Sequence, residues 1–197
     1  MKTNYVLIDY ENVQPQAIAA LDKEHFKVIV FFGANQAKVT YEVASVLHRM
    51  GPRAEYIKIA GNGPNALDFH IAFYIGQFAC QEPDAYFHIV SKDAGFDPLI
   101  QHLKEKRILV DRCKDVRDIP TVKAENLEAQ SEKLAVIIND LQRRGASKPR
   151  TAKTLASTIN ALFQKQLPDP DITSLLNELQ RQGVVTVSGN KVTYALP

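Results

Sequence analysis

The chain has 197 residues, 45% hydrophobic and 23% charged, with 9 Gly, 10 Pro and a net charge of +2. This is the composition of a folded globular protein of one or two domains, and it excludes a collagen-like or low-complexity polymer. Two cysteines, Cys80 and Cys113, with no histidine pair at ligand spacing, exclude a disulfide framework and a structural zinc site and fit a reducing, cytoplasmic setting.

Near the amino end the apolar run Tyr5 to Ile8 is too short for a signal sequence, which needs ~7–15 apolar residues. It reads instead as the first of five short β-rich runs, followed by Val28 to Phe32, Ala54 to Ile59, Tyr86 to Val90 and Ile108 to Val110. Helical patterns fill the gaps near Pro15 to Lys23, Thr40 to Met50, Asn65 to Cys80 and Asp97 to Lys106. Gly51-Pro52 stops the second of these, and Asp97-Pro98 opens the fourth as N-cap and first-turn proline. The longest stretch without a charged residue, Phe69 to Gln81, falls short of the ~20 residues of a membrane helix, so no membrane span is expected.

Strands alternating with helices predict an α/β domain, a doubly wound parallel sheet of about five strands in the order 3-2-1-4-5. Ligands of such sheets sit beyond the carboxyl ends of the strands, at the point where strand order reverses. Acidic residues stand there. Asp9, Glu11 and Asn12 follow the first strand, and Ser91, Lys92, Asp93 and Asp97 follow the fourth. Asp68 lies on the stripe of Ile71, Ala72, Ile75 and Ala79, which points a carboxylate inward. Each acid alone has an ordinary explanation: a strand-end turn for Asp9, the helix dipole for Asp68, an N-cap for Asp97. Together they are like charges converging on one sheet edge, which a hard cation such as Mg²⁺ or Mn²⁺ would neutralise.

The segments Val6-Leu7-Ile8-Asp9-Tyr10-Glu11-Asn12, Ala66-Leu67-Asp68-Phe69 and Val90-Ser91-Lys92-Asp93-Ala94-Gly95-Phe96-Asp97-Pro98-Leu99 resemble the signature blocks of the PIN-like superfamily, in particular its NYN branch. The resemblance covers roughly residues 3 to 115. It implies a metal-dependent nuclease, acting on RNA in preference to DNA, with Asp9, Asp68 and Asp93 as ligands of Mg²⁺ or Mn²⁺ and Asn12 as the polar residue after the first aspartate. One block departs from the usual Ser-Gly-Asp-x-Asp-Phe: Lys92 replaces the glycine and Gly95 the second aspartate. Asp97 is the candidate to supply the missing carboxylate as a further metal and catalytic residue. The departure also leaves open a catalytically silent nucleic-acid-binding or regulatory protein on the same fold. Lys92 and Lys38 are candidates to steady the nucleic-acid backbone, and Asn35-Gln36 to touch a nucleotide from the rim. His70 reads as a core or helix-surface histidine, and Phe73, Tyr74 and Phe78 as helix packing.

Other carboxylate chemistries fit less well. A haloacid-dehalogenase type hydrolase wants a second aspartate where Glu11 stands, and a phosphotransfer receiver wants an acceptor where Ile59-Ala60-Gly61 stands. Gly61-Asn62-Gly63-Pro64 lacks the Lys-Ser/Thr of a nucleotide-binding loop.

Near Ile119-Pro120 the periodicity changes. The expected division is a first domain over 1–120, a connector over 121–132 that reads as helical or as the lead-in to a helix, and a second domain over 133–197. In the second domain a helix carries Leu134, Ile137, Ile138 and Leu141. Another starts near Thr151 with Leu155, Ile159 and Leu162, and a third near Asp169 carries Ile172, Leu175, Leu176 and Leu179. Val184 to Val187, a Ser188-Gly189-Asn190 turn and Lys191 to Tyr194 read as a hairpin. This pattern resembles winged helix-turn-helix modules, including the OST-HTH type. Between residues 141 and 168 stand six basic residues and no acid. Of these, Arg144, Lys148, Arg150 and Lys153 are candidates to grip phosphates without reading sequence. A protein partner for this domain, and a dimer, are left open by the sequence.

Overall fold

The computed structural model describes residues 2–197, which form two compact units that divide between Lys123 and Ala124. In the first unit, β1 (Asn4–Asp9), β2 (Phe26–Phe32), β3 (Ala54–Lys58), β4 (Tyr86–Val90) and β5 (Leu109–Cys113) make one sheet in the order β3-β2-β1-β4-β5. All four pairings are parallel. Every residue of β1 is buried, as a central strand covered on both faces requires.

Alternation along the strands sorts the core into two layers. Val6, Ile8, Val28 and Val30 face α1 (Tyr41–Met50) through Val43, Val46, Leu47 and Met50. Leu7, Ile29, Phe31, Phe87 and Ile89 face the other way, onto Leu67, Ile71 and Ile75 of α2 (Ala66–Gln81) and Ile100 and Leu103 of α3 (Asp97–Glu105). Each such aliphatic or aromatic side chain contributes about 1.5–3 kcal/mol by leaving water. The register sets Asp9, last residue of β1, opposite Phe31 and aligns Ile8 with Val90, so the loops after β1 and β4 leave the sheet side by side.

Two local expectations are corrected. Pro15 to Lys23 is not a helix but holds a single 3-10 turn, Ile18–Leu21. Its anchors Ile18 and Leu21 are three apart, the period of that turn, and Lys23 N–H then bonds to Leu21 C=O at 2.8 Å to fold the chain toward β2. Asp97 is not an N-cap but the first helical residue of α3, because Asp93 caps the preceding 3-10 turn, Ala94–Phe96.

Residues 121–132 begin α4 (Pro120–Arg143), one continuous helix, and so are the lead-in to a helix and not a separate connector. The second unit adds α5 (Ala152–Leu162), α6 (Asp169–Arg181) and the antiparallel hairpin of β6 (Val185–Ser188) and β7 (Lys191–Tyr194). Leu134, Ile137 and Leu141 pack with Leu155, Ile159, Leu175, Leu179, Val185 and Val192. Thr151 bridges to Lys191, and Val192 N–H bonds to Arg150 C=O at 2.9 Å, which fastens the start of α5 to the hairpin. Thr151 also closes a capping box with Thr154. Thr151→Ala is therefore expected to lower the unit's stability by about 1 kcal/mol, read as a lower urea midpoint with unchanged slope.

Among the described residues, no helix is long and apolar enough to cross a membrane.

Candidate functional site

The end of β1 positions the first carboxylate. Asp9 is 1% exposed. Its Oδ2 accepts hydrogen bonds from Ser91 Oγ at 2.8 Å and Asn12 Nδ2 at 2.6 Å, and its Oδ1 accepts from Asn12 N–H at 3.3 Å. The Ser91 hydroxyl also accepts from Asp93 N–H at 3.1 Å, so one side chain couples the loops after β1 and β4. Asp93 is exposed, and its Oδ1 accepts from Gly95 N–H at 2.7 Å. A Cβ on Gly95 would lie 3.1 Å from that oxygen, a close approach that favours glycine here.

Asp68 stands in the first turn of α2. Its pKa is raised, first by burial and then by the charges of Asp9, Asp93 and Glu11. Asp68, Asp93, Glu11 and Asn12 line a small open cavity of about 140 Å³, floored by Ile59 and Leu67 and bordered by Gly61, Asn62, Gly63 and Asn65. Asn65, at φ 60°, precedes α2 without giving it a side-chain cap, and the first amide of the helix, Ala66 N–H, donates to Gly63 C=O at 3.2 Å instead. Glu11 lies across Gly33, whose Cβ, were there one, would fall 1.5 Å from Glu11 Oε1. Asp9, Glu11, Asp68 and Asp93 form no ion pair with Lys, Arg or His among the described residues.

A cluster of oxygen donors without a neutralising base is chemically suited to a hard divalent cation. The acids surround the cavity without closing on one point: among the described residues, no three His, Cys, Asp or Glu side chains stand close enough to cage an ion as they are.

Asp97 does not join this cluster. Its carboxylate, 56% exposed, accepts from Arg112 Nε at 2.8 Å and Nη2 at 3.0 Å. The guanidinium fork of β5 matches the carboxylate geometry and holds its pKa down. Gln36 is also committed: its Nε2 donates to Tyr10 C=O at 3.1 Å, and its Oε1 accepts from Gly33 N–H at 3.2 Å, tying the β1 and β2 exits together. Lys38 and Lys92 are exposed. His70 bonds within its own helix, Nδ1 to Ala66 C=O at 2.7 Å. Tyr74 and Phe78 pack against the core, but Phe73 does not; it is 64% exposed because the buried stripe of α2 runs through Leu67, Ile71 and Ile75.

In the second unit Arg144 pairs with Asp140 at 2.6 Å, and Lys148 Nζ donates to Gly145 C=O at 2.8 Å. Arg150 and Lys153 are exposed without such partners. The Thr151–Lys191 bridge brings Lys191, absent from the sequence candidates, beside that pair. Glu11 and Ser91, which the sequence places at the strand ends without a role, line the cavity and hold Asp9 respectively. Their place straight after β1 and β4 was the available signal.

A family model described as the PIN domain matches residues 3–113. No curated protein and no solved structure matches the chain.

Proposed function

The chain belongs to the PIN domain family, and on that premise we propose that it is a Mg²⁺- or Mn²⁺-dependent nuclease of the NYN type, hydrolysing RNA phosphodiester bonds at the Asp9–Asp68–Asp93 cavity. The observation that carries this reading is the gathering of Asp68, Asp93 and Glu11 around one cavity beside Asp9, with no basic side chain among the described residues paired to any of the four; the raised pKa of Asp68 agrees with it. Asp9, Asp68 and Asp93 would hold the ion, with Glu11 and Asn12 beside them. When bound, it would lower the pKa of an attacking water and neutralise charge on the scissile phosphate. Asn12 and Ser91 fix the orientation of the Asp9 carboxylate by donating to it. The Gly61–Gly63 segment, without a side chain at either glycine, lets a phosphate approach the backbone at the cavity rim.

The second unit is proposed as a winged-helix module that holds the nucleic acid. On α6, Arg181 and Gln182 are both engaged by Glu178, which removes them as free readers of base edges. The exposed Arg150, Lys153 and Lys191 favour a grip on phosphates instead. Arg150→Gln with Lys153→Gln should flatten the dependence of log affinity on log salt by roughly 1.4 for a single strand, ~0.7 for each phosphate no longer neutralised. This is read by titrating a labelled strand at several salt concentrations.

The deciding experiment is cleavage of labelled single-stranded and hairpin RNA, with DNA controls, in Mn²⁺, Mg²⁺ and chelator. Cutting is expected with either metal and is expected to disappear on chelation and in Asp9→Asn. A wild-type protein that binds these strands and cuts none of them in either metal would sink the enzymatic reading.

A further inference from the structure

On the α1 side of the sheet, Tyr56 and Lys58 are alternate residues of the edge strand β3 and so share one face. With Phe32 of β2 and Lys38 and Val39 of the following loop, they line an open groove of about 370 Å³. Three properties of the groove narrow what it can take. First, it holds an accessible aromatic ring: Tyr56 is 46% exposed while resting 6.0 Å from Phe32, so the ring is supported yet open to a partner. Second, neither Lys38 nor Lys58 has an ion-pair or hydrogen-bond partner among the described residues, and no carboxylate lines the groove. Third, its loop is already ordered, since Gln36 bonds to both Gly33 and Tyr10.

The groove is also continuous in the chain with the acidic cavity. Lys58 lines the groove and the next residue, Ile59, lines the cavity; Ala34 lines the cavity and Gln36 begins the groove. A single strand that runs from the carboxylates across the ends of β2 and β3 to the α1 face would meet two free cations and an aromatic face there.

We propose that this groove is a binding site for a single-stranded flank of the nucleic acid, with a base stacked on Tyr56 and backbone phosphates held by Lys38 and Lys58; as an extension of the cavity it rests on the nuclease reading. A stacked base has a π-face whatever its identity, and phosphates satisfy unpaired ammonium groups, so this occupant uses the open ring and both lysines of the groove. A duplex keeps its bases stacked on each other and offers Tyr56 none.

The test is fluorescence anisotropy of the full chain with a short labelled single strand, and with the matching duplex, in chelator over a salt series. It is run in an Arg150→Gln/Lys153→Gln background so that the second unit does not mask the groove. Tyr56→Leu is expected to weaken single-strand binding about tenfold without altering the salt slope or duplex binding, while Tyr56→Phe retains wild-type affinity. Lys58→Gln is expected to flatten the slope by ~0.7. Wild-type affinity in Tyr56→Leu, an equal loss on strand and duplex, or an unchanged slope in Lys58→Gln would each overturn the proposal. Cutting in Mn²⁺ is scored separately: a protein that cuts but shows none of these losses has lost the groove alone, and one that shows them without cutting has lost the nuclease alone.

Discussion

Asp68→Asn is expected to slow cleavage at least about a hundredfold, the equivalent of ~3 kcal/mol of transition-state stabilisation, and yet to raise the melting temperature of the protein in chelator. The two effects share one cause. Asp68 is placed where burial and the charges of Asp9, Asp93 and Glu11 all disfavour its ionised form, and no side-chain cation offsets them. Because its folded-state pKa lies above its ordinary value, ionised Asp68 destabilises the fold at neutral pH, and that cost diminishes as pH falls through the raised pKa. Asparagine keeps the shape and removes the charge. A divalent cation at 100 times its dissociation constant stabilises a folded protein by about 2.7 kcal/mol, so wild type should gain markedly in melting temperature on adding Mn²⁺ and the variant much less. Equal Mn²⁺ shifts in the two proteins would remove Asp68 from the ligand set.

Acid should unfold the first unit through a residue remote from that cavity. His88 is 2% exposed on β4, stacked on Tyr86 at 4.6 Å, with its Nε2 3.0 Å from Asn4 Oδ1. The amide oxygen can only accept, so Nε2 carries the proton and donates it, and Nδ1 is left buried without a partner. Burial pushes the imidazole pKa down from 6.5 to about 4. The unfolded chain therefore takes up a proton near pH 6.5 that the folded chain refuses until about pH 4. Stability attributable to His88 is full above pH 6.5 and falls as pH drops through this window, by about 3 kcal/mol in all at 1.36 kcal/mol per pKa unit. His88→Phe keeps the ring against Tyr86 and removes the titration. Urea unfolding followed by circular dichroism at pH 7 and pH 4.5 should show a smaller acid loss in the variant than in wild type. The same loss in both would assign the acid sensitivity to carboxylates instead.

The sheet was legible because its strands are buried on both faces, so Tyr5 to Ile8 or Val28 to Phe32 can only be apolar throughout. The strand order and the meeting of the β1 and β4 loops followed from that topology. What escaped depends on pairs distant in sequence or on local geometry. No spacing rule announces that Arg112 will claim Asp97, since the two meet only once β5 lies alongside β4. Gln36 looked like a rim residue because its side chain is polar, whereas its amide completes backbone bonds at the exits of β1 and β2. Phe73 sits on a helix so apolar all round that its pattern does not say which face is covered. Lys191 lies outside the basic run and reaches it only through the contacts between the hairpin and the start of α5.

The hydrogen bond from Ser91 to Asp9 spans 82 positions of the chain. During synthesis the amino-terminal aspartate emerges long before the strand that fixes it, and β1 has only β2 as a neighbour until β4 has left the ribosome. A nascent or truncated chain ending before Ser91 thus carries Asp9 and Asp68 without the loop that orients the first and supplies Asp93. For a protein proposed to cut RNA, this order of assembly means that cutting competence would arrive only with the folded sheet.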